Sequence, residues 1–272
     1  MDIFNSINSI NDIDWASFWQ KQVQHTYKTQ NSGFWDDWAR KIKPKAKHSR
    51  YVEMLLPLIH IDPEDTVMDV GTGTGALTIP LARIALRVYG VDLSAEALKV
   101  VMTQAEEENL NNITPILGDW IKLEPKDLPR CDVAIASRSI PGGSDIKRSI
   151  WLMNEVALKS CHITWRVRGN DPLDRQISEI MNIDIDYSPE HAILYNVIEG
   201  MGIHPDVRTF TLKREKEFSS LEDAFFQIVR SRDIDTPTSK KIMELLDEKL
   251  EKRDGHLYQK KDTTWVLFSW NK

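Results

Sequence analysis

Between residues 61 and 170, short apolar and β-branched runs alternate with stretches whose apolar positions recur every three or four residues. The runs at 66–71, 87–92, 113–118, 132–137 and 162–167 read as strands. They are apolar nearly throughout rather than alternating, as strands covered on both faces are. The periodic stretches at 75–85, 94–109 and 145–158 read as helices. This order predicts an α/β fold with a parallel, doubly wound sheet and right-handed crossovers. Ser94 fits an N-cap with Glu96 in the following turn, and Pro80 is expected to kink the first helix or remove one of its hydrogen bonds.

The flanks differ. Residues 1–50 are polar and aromatic, with Trp15, Phe18, Trp19, Trp35 and Trp38 at helical spacings, so a helical extension is expected there. It would form either a packed helix pair or a lid. A basic run, Arg40, Lys41, Lys43, Lys45, Lys47 and Arg50, carries no acidic residue. Helical periodicity continues from 48 to 60 through Tyr51, Met54, Leu55 and Leu58. Beyond residue 170 an acidic, irregular insertion is expected over 170–190. Helices follow near 190–201, 220–231 and 237–252, with strands near 206–214 and 263–270. Residues 256–260 are expected to pair with the last strand as a hairpin.

Composition narrows the classes. The chain has 272 residues, 41% of them hydrophobic and 28% charged, which is ordinary for a water-soluble fold. A net charge of −6 argues against nucleic acid as the partner of the whole chain, though not against a local basic patch. Two cysteines, Cys131 and Cys161, read as packed thiols in a cytoplasmic protein. No Cys/His cluster has zinc spacing, no apolar run reaches the roughly 20 residues of a membrane span, and the polar N-terminus does not resemble a signal peptide.

The chemistry concentrates at the strand ends. Asp69 opens an Asp-x-Gly-x-Gly-x-Gly loop containing Gly71, Thr72, Gly73 and Gly75. Asp92 closes the second strand and Asp119 the third, and the fourth runs into Ala136-Ser137-Arg138-Ser139. All of these fall on the edge where open parallel sheets bind ligands. Glycines let a backbone approach a ligand closely, a carboxylate accepts from both hydroxyls of a diol, and Trp120 can cover a flat base. A dinucleotide fingerprint spaces its three glycines differently, and an acid about 20 residues after the loop occurs there too, so Asp92 alone does not discriminate.

The ordered set resembles the class I S-adenosylmethionine-dependent methyltransferases over about residues 50–170, and more loosely to the C-terminal strand. The resemblance implies a mostly parallel seven-stranded sheet with an antiparallel C-terminal strand. It places a Rossmann-like domain at 51–272, with the insertion near 170–190 and the helical extension at 1–50. It implies S-adenosylmethionine as cofactor. Asp69, Gly71, Thr72, Gly73 and Gly75 would surround its methionine part, Asp92 and Leu93 its ribose, and Asp119 and Trp120 its adenine. Ser137 and Arg138 would border the transferred methyl group. The fourth strand lacks the Asn/Asp-Pro-Pro-aromatic signature of methylation at amino groups on bases or protein glutamine. The expected activity is therefore methyl transfer to a small molecule, an anionic one if the basic run lies over the site. Methylation of RNA or protein, and cofactor binding without catalysis, are the alternatives.

The acceptor side is less defined. No general base stands out, and His48, Tyr51, Arg138, Trp165 and Arg166 are the candidates, with His25, Tyr27 and His191 as further acid–base groups. For each histidine or tyrosine alone, packing is the commoner explanation. Trp165, Arg166 and Arg168 could equally form a substrate wall or a surface pairing with Asp171 and Asp174. Oligomeric state is not legible.

Overall fold

The computed structural model describes residues 9–26, 31–41, 49–140, 145–167, 171–182, 190–229 and 234–272. His48, Tyr27, Arg168 and, of the basic run, Lys43, Lys45 and Lys47 lie outside them. The elements in chain order begin with α1 (Trp15–Thr26), α2 (Ser32–Lys41), α3 (Arg50–Leu55), β1 (Thr66–Val70), α4 (Thr78–Ala82), β2 (Arg87–Asp92) and α5 (Ala95–Glu107). Next come β3 (Ile113–Leu117), β4 (Cys131–Ser137), α6 (Ile146–Val156), β5 (Ala157–Arg166), α7 (Pro172–Met181), α8 (His191–Gly200) and β6 (Asp206–Leu212). The chain ends with β7 (Glu215–Phe218), α9 (Leu221–Val229), α10 (Thr236–Lys249), β8 (Glu251–Arg253), β9 (His256–Lys260) and β10 (Thr263–Asn271).

Two compact units emerge: Met1–Arg166 with Ser188–Phe210 and Val266–Lys272, and Val167–Tyr187 with Thr211–Trp265. A seven-stranded sheet has the order β3-β2-β1-β4-β5-β10-β6. β1 pairs in parallel with β2 (Val67↔Val88 to Val70↔Val91) and with β4 (Val67↔Val133). β10 runs antiparallel to β5: Lys272 N–H donates to Lys159 and Val167 N–H to Thr264, so register falls on one strand as it rises on the other. β1 and β4 are buried on both faces. Val67, Met68, Val133, Ala134, Ile135 and Ala136 are at most 1% exposed, as unbroken apolar runs require. The strand order reverses between β1 and β4, which makes the adjoining strand ends the expected ligand crevice.

The aromatic extension divides. Trp19 on α1 is fully buried, its ring 4.9 Å from that of Trp165, whereas Phe18 and Trp38 are exposed. α2 packs on α5. The first crossover helix is shorter than expected. α4 covers only Thr78–Ala82: Ile79 N–H donates to the Gly75 carbonyl and Leu81 N–H to the Leu77 carbonyl, and Pro80 removes the bond between them, as expected.

The second unit has its own core of Leu173, Ile177, Phe218, Ile242 and Leu246. Two expectations fail here. The stretch after 170 is not irregular: Asp171 caps α7 through Leu173 N–H (2.9 Å), Pro172 starts it, and Leu173 and Ile177 bury one face. The acidic composition hides an i,i+4 apolar stripe. Residues 256–260 do not pair with the last strand. β9 joins β7 (Phe218↔Leu257) and β8 (Arg253↔His256) in a three-stranded sheet, through an Asp254-Gly255 turn with φ of 52° and 79°. Asp-Gly with two positive φ values is a favoured hairpin turn, and it decides the pairing.

Candidate functional site

The loop after β1 is held from beneath. Gly71 and Thr72 N–H both donate to the Val91 carbonyl (2.7 and 3.2 Å), tying the loop to the end of β2. Gly71 has φ +75°, and a Cβ there would stand 2.5 Å from the Ser139 Cβ, so only glycine lets the loop pass the segment after β4. Gly73 has φ +51°, and a Cβ there would meet nothing within 4 Å. The loop is thus packed on one side at Gly71 and open at Gly73.

Carboxylates brace it. Asp69, 2% exposed, accepts from Thr78 Oγ1 at 2.6 Å. Burial pushes its pKa up to about 6, and the nearby Asp92 charge adds to the rise; Thr78 and Arg138 oppose it. Asp92 accepts from Gly73 N–H and Ser94 N–H, both at 2.8 Å, and more weakly from Thr72 Oγ1 at 3.4 Å. Burial raises its pKa as well, against these hydrogen bonds. Ser94 caps α5 through Ala97 N–H (3.0 Å) and donates its hydroxyl to Asp36 of α2 at 2.5 Å, and Asp36 also accepts from Glu96 N–H. Leu93, between Asp92 and Ser94, is half-buried. Asp119 pairs with Lys122 at 2.9 Å, and Trp120 is buried, its indole N–H donating to the Ser149 carbonyl.

A second cluster forms where β4 and β5 end. Ser137 and Thr164 are register partners. Tyr51, on α3 and 2% exposed, bonds through its hydroxyl to Thr164 Oγ1 (2.6 Å) and Ser137 Oγ (2.9 Å). Burial raises its phenol pKa, so the ring is neutral and unsuited to act as a base at neutral pH. Arg138 takes φ +58°, donates its N–H to Thr164 Oγ1 (3.1 Å), and lays its guanidinium 4.2 Å from the Tyr51 ring centre. Arg166, like Trp165, ends β5, on the pleat side opposite Trp165. Among the described residues no group of three His, Cys, Asp or Glu side chains could hold a metal ion, and no helix is long and apolar enough to cross a membrane.

A family model described as "Methyltransferase domain" matches residues 61–182, a span that holds the glycine loop, Asp92, Ser137, Arg138 and Thr164 but neither Asp36 nor Tyr51. Over that span the chain is similar to methyltransferases. A protein-L-isoaspartate O-methyltransferase from Ruegeria sp. (strain TM1040) is 33% identical over 93 residues, which cover 34% of this chain and 43% of that one. An uncharacterized protein of Haemophilus influenzae is 29% identical over 137 residues, covering 48% and 50%. The chain thus spans about half the length of the first curated relatives it matches. Among solved structures, magnesium protoporphyrin IX methyltransferase from Synechocystis PCC 6803 with bound SAH aligns at a TM-score of 0.51 and 15% identity, over 91% of this chain and 99% of that one. A SAM-dependent methyltransferase from Aquifex aeolicus aligns at 0.51 and 16%, over 66% and 92%. At these identities the likeness is one of fold.

The methyl donor that the resemblance implies is S-adenosylmethionine, and two observations fit it. The backbone is bare and unobstructed at Gly73, as a loop lying under a ligand must be. Each Asp92 oxygen accepts one backbone N–H and keeps acceptor capacity for a hydroxyl. Sequence reasoning missed Asp36, Thr78 and Thr164. Thr164 had a signal, because the fifth strand ends beside the fourth. Asp36 and Thr78 had none, since their partners lie on other elements.

Proposed function

We propose that this chain moves a methyl group from S-adenosylmethionine to a small-molecule acceptor by in-line displacement. When bound, the sulfonium supplies an activated methyl and a neutral leaving thioether. The chain's own residues do the positioning. The loop 71–75 lines the methionine part and Asp69 stiffens its start through Thr78. Asp92 and Leu93 take the ribose, and Asp119 with Trp120 borders the adenine. Ser137 and Arg138 stand on the acceptor side. The observation that carries this reading is the Asp92 carboxylate fastened to Gly73 N–H, which joins the open loop to the acidic end of β2 as one rigid receptor. Alignment and exclusion of water then supply most of the rate, as near-attack positioning can.

The relatives' names span proteins and small molecules. A probable cobalt-precorrin-6B C(15)-methyltransferase (decarboxylating) from Methanococcus vannielii, 28% identical over 128 residues, supports the small-molecule side. The test of the donor site is calorimetric titration with S-adenosylhomocysteine. Wild type should bind, and Asp92→Ala should weaken binding about tenfold or more, as loss of charge-assisted hydrogen bonds does. Equal affinity in the variant would remove Asp92 from the site.

A further inference from the structure

We propose that Asp36 of α2 is a positioning residue for the methyl donor: acting through the Ser94 hydroxyl it fixes the aim of the Asp92 carboxylate, so that docking of α2 on α5 and binding of the donor's nucleoside favour each other. This coupling rests on the donor-site reading above, in which Asp92 takes the ribose.

Ser94 is fully buried, and each hydrogen it can donate is committed. Its backbone N–H donates to Asp92 Oδ1 at 2.8 Å. Its Oγ accepts from Ala97 N–H at 3.0 Å as the N-cap of α5. One hydrogen remains, on the hydroxyl, and Asp36 Oδ1 takes it at 2.5 Å, the length of a charge-assisted bond. Ser94 thus gives one hydrogen to each carboxylate. A serine pinned from both sides cannot swing without breaking one of these bonds, so its N–H keeps one direction.

Asp92 depends on that direction. Each of its oxygens is held by one backbone N–H, Oδ2 by Gly73 (2.8 Å) and Oδ1 by Ser94. Two fixed donors set the carboxylate plane, and the plane decides where the remaining lone pairs meet a diol. The Gly73 bond belongs to the loop, while the Ser94 bond is the one that Asp36 backs.

α2 is built to deliver its carboxylate to this place. Asp36 and Ala39 lie one turn apart, and Ala39 is buried where α2 packs on α5. Asp36 Oδ1 also accepts from Glu96 N–H (3.3 Å), a first-turn group with no partner inside its own helix. Arg40, four residues on, reaches the Glu96 carboxylate at 3.6 Å. The Ser94 hydroxyl and then the Glu96 N–H hold the Asp36 carboxyl below its ordinary range, so it stands ionised at the positive end of α5. With α2 away, the buried Ser94 hydroxyl must turn to another acceptor, and the aim of its N–H turns with it. What the donor gains from an aimed Asp92, α2 gains from a bound donor, because coupling between two sites is reciprocal.

The experiment uses the full chain, titrated by calorimetry with S-adenosylhomocysteine. Asp36→Ala should weaken binding about fivefold, and Asp36→Asn, which keeps an oxygen for the Ser94 hydroxyl, should recover most of the loss. A merely structural role for Asp36 would cost the same in any background, whereas a role through Asp92 would not. On the Asp92→Ala background, Asp36→Ala should therefore change the affinity by less than about twofold. In wild type, saturation with S-adenosylhomocysteine should slow amide exchange across residues 33–40 severalfold, a result independent of how any variant folds. Equal affinity in Asp36→Ala overturns the proposal. So does the same loss on the Asp92→Ala background, or α2 exchange that saturation leaves unchanged. Failure of the donor reading shows differently: wild type does not bind, or Asp92→Ala binds as tightly as wild type, and the coupling falls with it. Failure of the coupling alone shows as binding that needs Asp92 and ignores Asp36.

Discussion

Replacing Asp69 by asparagine and His162 by glutamine should expose two proton linkages that oppose each other in the wild-type protein. Asp69 is buried and its pKa is pushed up to about 6 from 3.8. The folded state therefore holds that proton to higher pH than the unfolded chain, and the associated stability is present below pH 3.8 and lost as pH rises through about 6. His162, between Ser160 Oγ (3.0 Å) and Ser269 Oγ (2.9 Å), is pushed down by burial from 6.5 to about 4. Its folded form resists protonation, so its contribution is present above pH 6.5 and lost as pH falls through about 4. Each gap is worth about 3 kcal/mol at about 1.4 kcal/mol per pH unit, and the two cover nearly the same window with opposite sign. Both residues lie in the first unit, as do the buried Trp19, Trp120, Trp165 and Trp270, so tryptophan fluorescence in urea follows the relevant transition. From pH 7 to pH 4, without cofactor, the stability of Asp69→Asn relative to wild type should fall by about 2 kcal/mol, since the unfolded carboxyl is already partly protonated at pH 4. That of His162→Gln should rise by about the same amount. The surface carboxylates are common to all three proteins and cancel in the differences. Asp92 does not cancel fully: losing its neighbour's charge lowers its own proton affinity, which adds to the Asp69→Asn slope in the same direction. Flat differences, or slopes of one sign, would refute the assignment of these two groups as the opposing buried titrators.

Gly71→Ala should destabilise the protein by about 2 kcal/mol or more, since a left-handed φ is compounded by a 2.5 Å approach to Ser139; a denaturation curve like wild type would contradict the close passage. Gly73→Ala, with nothing nearby, should cost only about 1 kcal/mol yet lower S-adenosylhomocysteine affinity disproportionately, the reverse of the Gly71 result. Asp36→Ala should release α2 from the start of α5, read as roughly tenfold faster amide exchange across residues 33–40 with little change in the sheet. Unchanged exchange would mean that α2 is held by packing alone.

The geometry proposed for the donor half of the site is legible because it is local. Strand, glycine loop and terminal carboxylate are contiguous in the chain, and a parallel sheet brings its strand ends together without further information; Asp69, Gly71–Gly75 and Asp92 needed only that rule. Pro80 shows where local reading falls short. The lost hydrogen bond was foreseen, but not how much helix goes with it: Gly75 N–H turns back to Thr72, the bond from residue 80 is missing, and regular helix is left only over Thr78–Ala82. The misplaced pairing of 256–260 had the same origin. A strand next to the C-terminal strand in sequence invites a hairpin, whereas Asp254-Gly255 directs it to the other neighbour.

The acceptor half resisted for a different reason. Tyr51, Ser137, Thr164 and Arg138 come from α3, β4, β5 and the turn after β4, and Tyr51 and Thr164 are separated by 113 residues. No spacing rule connects them, and each alone reads as an ordinary packed or strand-end residue. Yet the cluster is where specificity can be written. Under the proposed function the loop would offer a donor mostly backbone groups, which suit one shape, while side chains at the ends of β4 and β5 would answer to the charge and geometry of the acceptor. Members of one fold can then share the loop and differ in acceptor through a few side chains at the ends of β4 and β5.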